Sequence, residues 1–184
     1  MDGHHLILGA LDDFITGERL QDTHDERYRQ KIARLLVHGK GYAKTQIQPR
    51  NSLTVSAGSR KGHLWVDFLV LLDGRAAMVI KYGPGSLVTR HRPTLAISRL
   101  MAPYQIPVAV VTNGESADVL DGHSGKVTSS GIDRIPSRDL LAAQLAGAEL
   151  ASISPSRAEM EARIVYAYEI DGGCPCDDTV CRIE

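Results

Sequence analysis

One stretch constrains the fold of this chain more than any other, and it runs from Leu64 to Gly85. It contains two apolar runs, Leu64–Leu72 and Ala76–Tyr82, and the dipeptide Asp73-Gly74 lies between them. This dipeptide strongly favours a two-residue turn between antiparallel strands. Apolar runs without alternation indicate strands that are covered on both faces. The stretch therefore predicts a central hairpin in an α/β fold, with a mixed sheet flanked by helices.

Each apolar run contains a single charged residue. The first run contains Asp67 and the second contains Lys81. A buried charge is costly unless it is paired. We therefore expect the two side chains to lie on adjacent strands, on the same side, where they neutralise one another or face a cleft.

The residues around this hairpin resemble the N-terminal nuclease-type domain of type I restriction enzyme R subunits, which belongs to the PD-(D/E)XK nuclease group. The pattern of that family is an Asp in one strand, a hairpin, and a strand ending in Glu-x-Lys before a Pro/Gly-rich bend. Asp67 stands at the Asp position, Lys81 at the Glu position and Gly83 at the Lys position. The resemblance implies a restriction-endonuclease-like fold in which two of the three core residues are missing.

Three further positions bear on the resemblance, which spans roughly Asp25 to Asp121. Thr112-Asn113-Gly114 matches a Thr-Asn-Gly that ends a later strand in the family. Glu26 matches a Glu that lies near the family's active site, although it also fits a capping residue of its own helix. The family places a Gln in the helix before that strand, and this chain has Thr94 to Ile97 there instead.

The resemblance implies Mg²⁺ chemistry only if carboxylates are available, because Mg²⁺ is held by oxygen ligands. In one interpretation the fold has lost catalysis, needs no cofactor, and pairs Asp67 with Lys81 in place of the metal. In a second, an active enzyme uses Glu26, Asp67 and Asp73 with Lys81 and Mg²⁺. In a third, the fold serves a non-enzymatic ligand-binding or protein-assembly module.

The overall charge gives no argument for nucleic-acid binding, because 21 Lys and Arg nearly balance 22 Asp and Glu, for a net charge of −1. Only a local patch could bind phosphates. Two basic clusters, interpreted as loops, are candidates. They are Arg60-Lys61, before the Asp67 strand, and Arg90-His91-Arg92, after the hairpin. Solvated surface loops remain the alternative.

The patterns elsewhere predict the remaining elements. Helices are expected over residues 6–17, 23–39, 94–104, 137–151 and 154–170, with strands over 51–55, 107–112 and 117–121. In the last helix, Met160, Ile164, Ala167 and Tyr168 are expected to share one apolar face. We expect a single domain over 1–184, with a nuclease-like core over 25–121, C-terminal helices over 137–170 and a tail over 172–184.

All three cysteines, Cys174, Cys176 and Cys181, lie in that tail. Their spacing lacks the paired Cys-x₂-Cys of common zinc sites, so reduced thiols are favoured and no metal site is predicted. The N-terminus has no basic segment followed by an apolar core, and no apolar stretch reaches membrane-spanning length. We expect a cytoplasmic protein without membrane association, with nucleic acid or a second copy of the chain as candidate partners.

Overall fold

The computed structural model describes residues 7–172 and the backbone of residues 180–183. The described strands are β1 (Gly9–Asp12), β2 (Arg19–Asp22), β3 (Ile47–Ala57), β4 (Arg60–Leu72), β5 (Arg75–Tyr82), β6 (Val108–Thr112), β7 (Ala117–Asp121), β8 (Val127–Ser130) and β9 (Val180–Ile183). The helices are α1 (His24–Arg34), α2 (Val88–Leu100), α3 (Arg138–Ala146) and α4 (Pro155–Val165). Two of them continue as π-helical turns, α1 over Leu35–Gly39 and α4 over Tyr166–Asp171.

The main sheet has the order β3-β4-β5-β6-β7-β8. Its neighbours are antiparallel apart from β5 and β6, which are parallel and are connected through α2. The backbone of β9 pairs with residues 61–64 of β4. The first two strands form a separate hairpin. The predicted α/β fold with a mixed sheet flanked by helices is confirmed.

The sheet separates two apolar cores. One contains residues of α1 and α3, such as Ile32 and Leu141, and the other contains residues of α2 and α4, such as Ile97 and Val165. The central strands are therefore covered on both faces, as their continuous apolar sequences predict. None of the described helices has the length and apolar character needed to span a membrane.

The central hairpin forms where the sequence predicts it. Asp73 has φ 49° and Gly74 has φ 75°, so both turn residues are left-handed. This is the geometry of the tight turn that Asp-Gly favours. Two helices also begin where their predicted ranges start, because Thr23 accepts a hydrogen bond from the Glu26 amide and Ser137 accepts one from the Leu140 amide.

The helix predicted over residues 6–17 is wrong. The chain forms β1 there and then turns back into β2. The Asp13 carboxylate accepts hydrogen bonds from the amides of Ile15 and Thr16, each at 2.8 Å, and Gly17 has φ 77°. A side chain that binds the following amides competes with helix formation.

Both basic clusters were predicted as loops, and both lie in regular structure. Arg60 and Lys61 open β4, because the turn before them is only Gly58-Ser59. The cluster Arg90–Arg92 lies inside α2, which begins at Val88 and includes Pro93. The residues after Asp121, for which the sequence patterns predict turns, contain a strand, β8.

The predicted apolar face of the last helix is only partly confirmed, because Ile164 packs against the core but the other three residues are exposed. Met160 and Tyr168 are 55% and 60% exposed, whereas Val165 and Tyr166 are buried. The π-helical turn after Val165 adds residues per turn, so Ala167 and Tyr168 depart from the α-helical spacing. The exposure of Met160, which precedes this turn, has no such explanation.

Candidate functional site

At Asp67, the alternation of β4 side chains between the two faces of the sheet is interrupted. Val66 packs in the core beside α2 and α4, whereas Phe68, two residues later, packs in the core beside α1 and α3. Alternate residues of a regular strand point to the same face, so the alternation breaks at Asp67. Between the β3 partners of Val66 and Phe68 lies Arg50, a non-glycine residue with φ 51°. The break allows groups from both faces of the sheet to reach the Asp67 side chain.

The Asp67 carboxylate is buried, and three groups contact it. Arg29 of α1 donates from Nε to Oδ1 at 2.6 Å. The amide of Tyr82 donates to Oδ2 at 2.8 Å. Lys81 Nζ lies 3.7 Å from Oδ2, so the predicted proximity of Asp67 and Lys81 on adjacent strands is confirmed.

Five side chains form a row in which acid and cation alternate, which we call the Asp67 row. Its order is Glu26, Arg29, Asp67, Lys81 and Glu169. The successive contacts are 3.5 Å, 2.6 Å, 3.7 Å and 3.6 Å. Each carboxylate is separated from the next by a cation, so every neighbouring pair in the row attracts.

The surroundings of Asp67 and Arg29 hold these two groups in their charged forms. Burial raises the pKa of Asp67, but Lys81, Arg29 and the Tyr82 amide together lower it by more, so the net pKa lies below its ordinary value. Burial lowers the pKa of the Arg29 guanidinium, but Asp67 and Glu26 raise it more, and the net pKa lies above its ordinary value. Asp67 is therefore a carboxylate, and Arg29 a cation, at neutral pH.

This arrangement does not fit the Mg²⁺ site that the sequence resemblance implies. A metal shared by Glu26 and Asp67 would have to displace Arg29, and one shared by Asp67 and Glu169 would have to displace Lys81. Cations at these distances repel a divalent ion. Over the described residues, no three His, Cys, Asp or Glu side chains are grouped in a way that could hold a metal ion.

The position that the resemblance assigns to a catalytic Lys is also filled differently. At Gly83, a Cβ atom would lie 2.3 Å from the Arg90 guanidinium carbon. Arg90 also donates from Nη2 to the Pro84 carbonyl at 3.3 Å. A cation thus covers Gly83, but it comes from α2 and not from the β5 strand.

The Thr112-Asn113-Gly114 turn helps to position α1. The Gly114 carbonyl accepts a hydrogen bond from Lys31 Nζ at 2.9 Å. Gly114 has φ 84°, and a Cβ there would lie 2.2 Å from the Tyr28 ring. The turn therefore requires glycine both for its backbone and for close approach of α1, which carries Glu26 and Arg29 to the site.

The remaining predicted site residues do not gather around Asp67. His91 Nε2 lies 2.8 Å from Asp118 Oδ2, and Arg92 contacts Glu161. Arg60 pairs with Asp171. Asp73 lies in the turn at the far end of the hairpin. These contacts leave Lys61, which is exposed and in no ion pair with any described residue, as the most available of the predicted cations.

Sequence reasoning missed Arg29 and Glu169. Arg29 follows Glu26 by three residues, which places both on one helix face, and this spacing could have identified it. Glu169 lies in the π-helical turn after α4 and carries no local signal. Cys174 and Cys176 lie outside the described residues, and Cys181 is described only in its backbone, so the prediction of a metal-free tail stays a prediction.

The chain matches a known protein family. Residues 24–136, more than half of the chain, match the family model described as "Type I restriction enzyme R protein N terminus (HSDR_N)". The matched range begins at α1 and includes the central hairpin and the Thr-Asn-Gly turn. No curated protein and no solved structure matches the chain significantly. The chain belongs to the family of type I restriction enzyme R protein N termini.

Proposed function

We propose that this chain is a nuclease-type domain of the PD-(D/E)XK group in which an ion network has replaced the metal site and catalysis has been lost. The observation that carries the proposal is that the Asp67 carboxylate already has three partners in the protein. Its carboxylate is bound by Arg29 and by the Tyr82 amide, and Lys81 stands at the position of the family's second carboxylate. Such a carboxylate has little capacity left for a metal ion.

A nuclease assay tests the loss of catalysis. Single- and double-stranded DNA and RNA are incubated with the protein and Mg²⁺ or Mn²⁺, beside the variant Asp67→Ala. We expect no cleavage from either protein. Cleavage by the wild type that disappears in Asp67→Ala would overturn the proposal, because catalytic groups would then have to come from elsewhere.

Metal binding tests the physical reason for that loss. The double variant Arg29→Gln/Lys81→Glu removes both central cations of the Asp67 row and restores a carboxylate at the family's Glu position. We expect it to bind Mn²⁺ measurably by calorimetry, whereas the wild type does not. The control Arg27→Gln/Lys61→Glu makes the same change of charge at exposed positions of α1 and β4. Equal Mn²⁺ binding by the two double variants would mean that net charge alone decides it.

The retained activity that we propose is contact with nucleic-acid phosphates through the exposed start of β4. Lys61 and Arg60 lie there, and the Arg60 guanidinium also stacks over the Tyr166 ring at 4.7 Å. Phosphate contacts release counterions, so binding should weaken steeply with salt. In gel-shift assays at two salt concentrations we expect Lys61→Gln to weaken binding more than Lys126→Gln, an exposed lysine between β7 and β8.

The alternative is an assembly module, and exposed apolar side chains on the last helix support it. Met160 and Tyr168 are 55% and 60% exposed. If the protein neither cleaves nor binds nucleic acid, light scattering on the wild type and on Tyr168→Ser tests this alternative. Self-association that the substitution abolishes would favour assembly.

A further inference from the structure

A second buried ionic group lies between α2 and α4, on the opposite layer from α1. Its centre is Glu161, which is fully buried. Three arginines contact its carboxylate. Arg92 Nη1 lies 2.5 Å from Oε2, and Arg99 Nη1 and Arg157 Nε lie 2.8 Å and 2.6 Å from Oε1. We call these four residues the Glu161 cluster.

The Glu161 cluster holds more positive than negative charge. One carboxylate faces three guanidinium groups, so the four side chains carry a formal charge of +2. Arg99 is only 7% exposed, and its Nε has no hydrogen-bond partner among the described residues. Arg99 pairs with Glu161 inside the protein, whereas Arg92 and Arg157 are 39% and 46% exposed in their side chains, so the excess positive charge lies where an anion from solvent can reach it.

An open cavity of about 550 Å³ lies directly beside this cluster. Arg99 and Arg157 line it, together with His123, Ser152 and Ser156. None of its described lining residues is acidic. Its volume is in the range of small-molecule sites, which is about 300–1,000 Å³.

The start of α4 adds to the same field. The helix begins at Pro155, and Ser154 caps it by accepting a hydrogen bond from the Arg157 amide at 3.2 Å. The positive end of the helix dipole therefore lies at the cavity wall. Helix N-termini and arginines together favour phosphate groups, and serine hydroxyls can donate hydrogen bonds to them.

From these features we propose that the cavity between α2 and the start of α4 binds a small phosphate-bearing molecule, whose negative charge compensates the Glu161 cluster. Arg157 is the principal contact, because it both lines the cavity and is 46% exposed in its side chain. The site is separate from the Asp67 row and does not depend on the proposed loss of nuclease activity.

The test uses the full chain with two probes, inorganic phosphate and a 5′-nucleoside monophosphate, at constant ionic strength set with chloride. Binding is followed by calorimetry and by thermal unfolding. We expect saturable binding of at least one probe, with a rise of the unfolding temperature. A response to inorganic phosphate alone identifies a simple phosphate group, and a stronger response to the nucleotide shows that the rest of the cavity contributes.

The variant Arg157→Gln should weaken that binding about ten-fold or more, as expected for the loss of a charge-assisted contact. Its matched control is Arg163→Gln on the same helix, where an exposed arginine pairs with Glu159 at the same four-residue spacing. The control should bind like the wild type.

A second variant keeps the proposal falsifiable if Arg157→Gln is poorly folded. Ser152→Glu adds a carboxylate at an exposed position on the cavity wall without removing an arginine. It should abolish phosphate binding while unfolding at a similar temperature. The proposal is overturned if neither probe binds saturably, or if Ser152→Glu binds the probes as well as the wild type does.

Discussion

The Asp67 row and the Glu161 cluster are both buried ionic groups, but they balance charge in opposite ways. In the row, three carboxylates alternate with two cations, and each cation lies between two acids. In the cluster, one carboxylate serves three arginines. The Asp67 row therefore has one more negative than positive charge, whereas the Glu161 cluster has positive charge in excess.

The difference indicates which partner matters in each region. In the row, Arg29 is the group that holds both Glu26 and Asp67, so the loss of one cation leaves two acids without it. In the cluster, Glu161 is the group shared by every arginine, so the loss of the acid leaves three cations without it. Removing one partner of a buried pair is destabilising because the other charge stays buried.

The largest effect is expected at Glu161. The variant Glu161→Gln keeps the shape of the side chain but removes the charge that all three arginines share. We expect the free energy of unfolding to fall by about 3–5 kcal/mol. Urea denaturation followed by circular dichroism measures the loss.

The control for Glu161 removes a cation from the same cluster. Arg157→Gln leaves Arg92 and Arg99 on the carboxylate, and the arginine that it removes is partly exposed. Its cost should be about 1 kcal/mol or less. If Arg157→Gln is as damaging as Glu161→Gln, the positive charge of the cluster is not in excess.

A smaller but clear effect is expected for Arg29. The variant Arg29→Met leaves Asp67 with Lys81 at 3.7 Å and with the Tyr82 amide, and should cost about 2–3 kcal/mol. The double variant Arg29→Met/Asp67→Asn should cost less than the sum of the two single variants, since it no longer leaves a buried carboxylate that has lost its arginine. A double-mutant cycle by urea denaturation measures this coupling. Additive losses would mean that Arg29 and Asp67 are not coupled.

The hairpin and much of the sheet could be predicted from the sequence because their signals are local. Asp73-Gly74 specifies the turn, and the apolar runs on either side specify buried strands. The approach of Asp67 to Lys81 then follows from pairing the two strands around that turn. The family resemblance rests on the same local residues and is supported by the family match over residues 24–136.

The rest of the site depends on packing that no local pattern encodes. The break in alternation at Asp67 decides that α1 on one face and Glu169 on the other can both reach this row. No sequence pattern predicts that break, because Arg50, the β3 residue with φ 51°, is an arginine and not a glycine. The Glu161 cluster joins two helices that are more than fifty residues apart in the chain, so its arginines cannot be recognised as a group beforehand.

Lowering the pH is expected to destabilise the protein through both regions, by less than the Glu161 and Arg29 variants do. Burial raises the pKa of Asp67 and of Glu161, but the neighbouring cations lower each further, so both folded-state pKa values lie below the ordinary 3.8 and 4.5. The unfolded chain therefore binds protons at a higher pH than the folded protein does. The stabilisation is complete above these ordinary values and is lost as the pH falls through the lower, folded values.

The two contributions can be separated because each has its own titrating group. We expect the urea midpoint of the wild type to be nearly constant from about pH 7 to 5 and to fall progressively below that. Asp67→Asn should flatten the part of the fall that begins near 3.8, and Glu161→Gln the part that begins near 4.5. A fall of equal slope in the wild type and in both variants would mean that other carboxyl groups control acid unfolding. In that case, neither the Asp67 row nor the Glu161 cluster would stabilise the ionised form of its carboxylate more than an ordinary surface ion pair does.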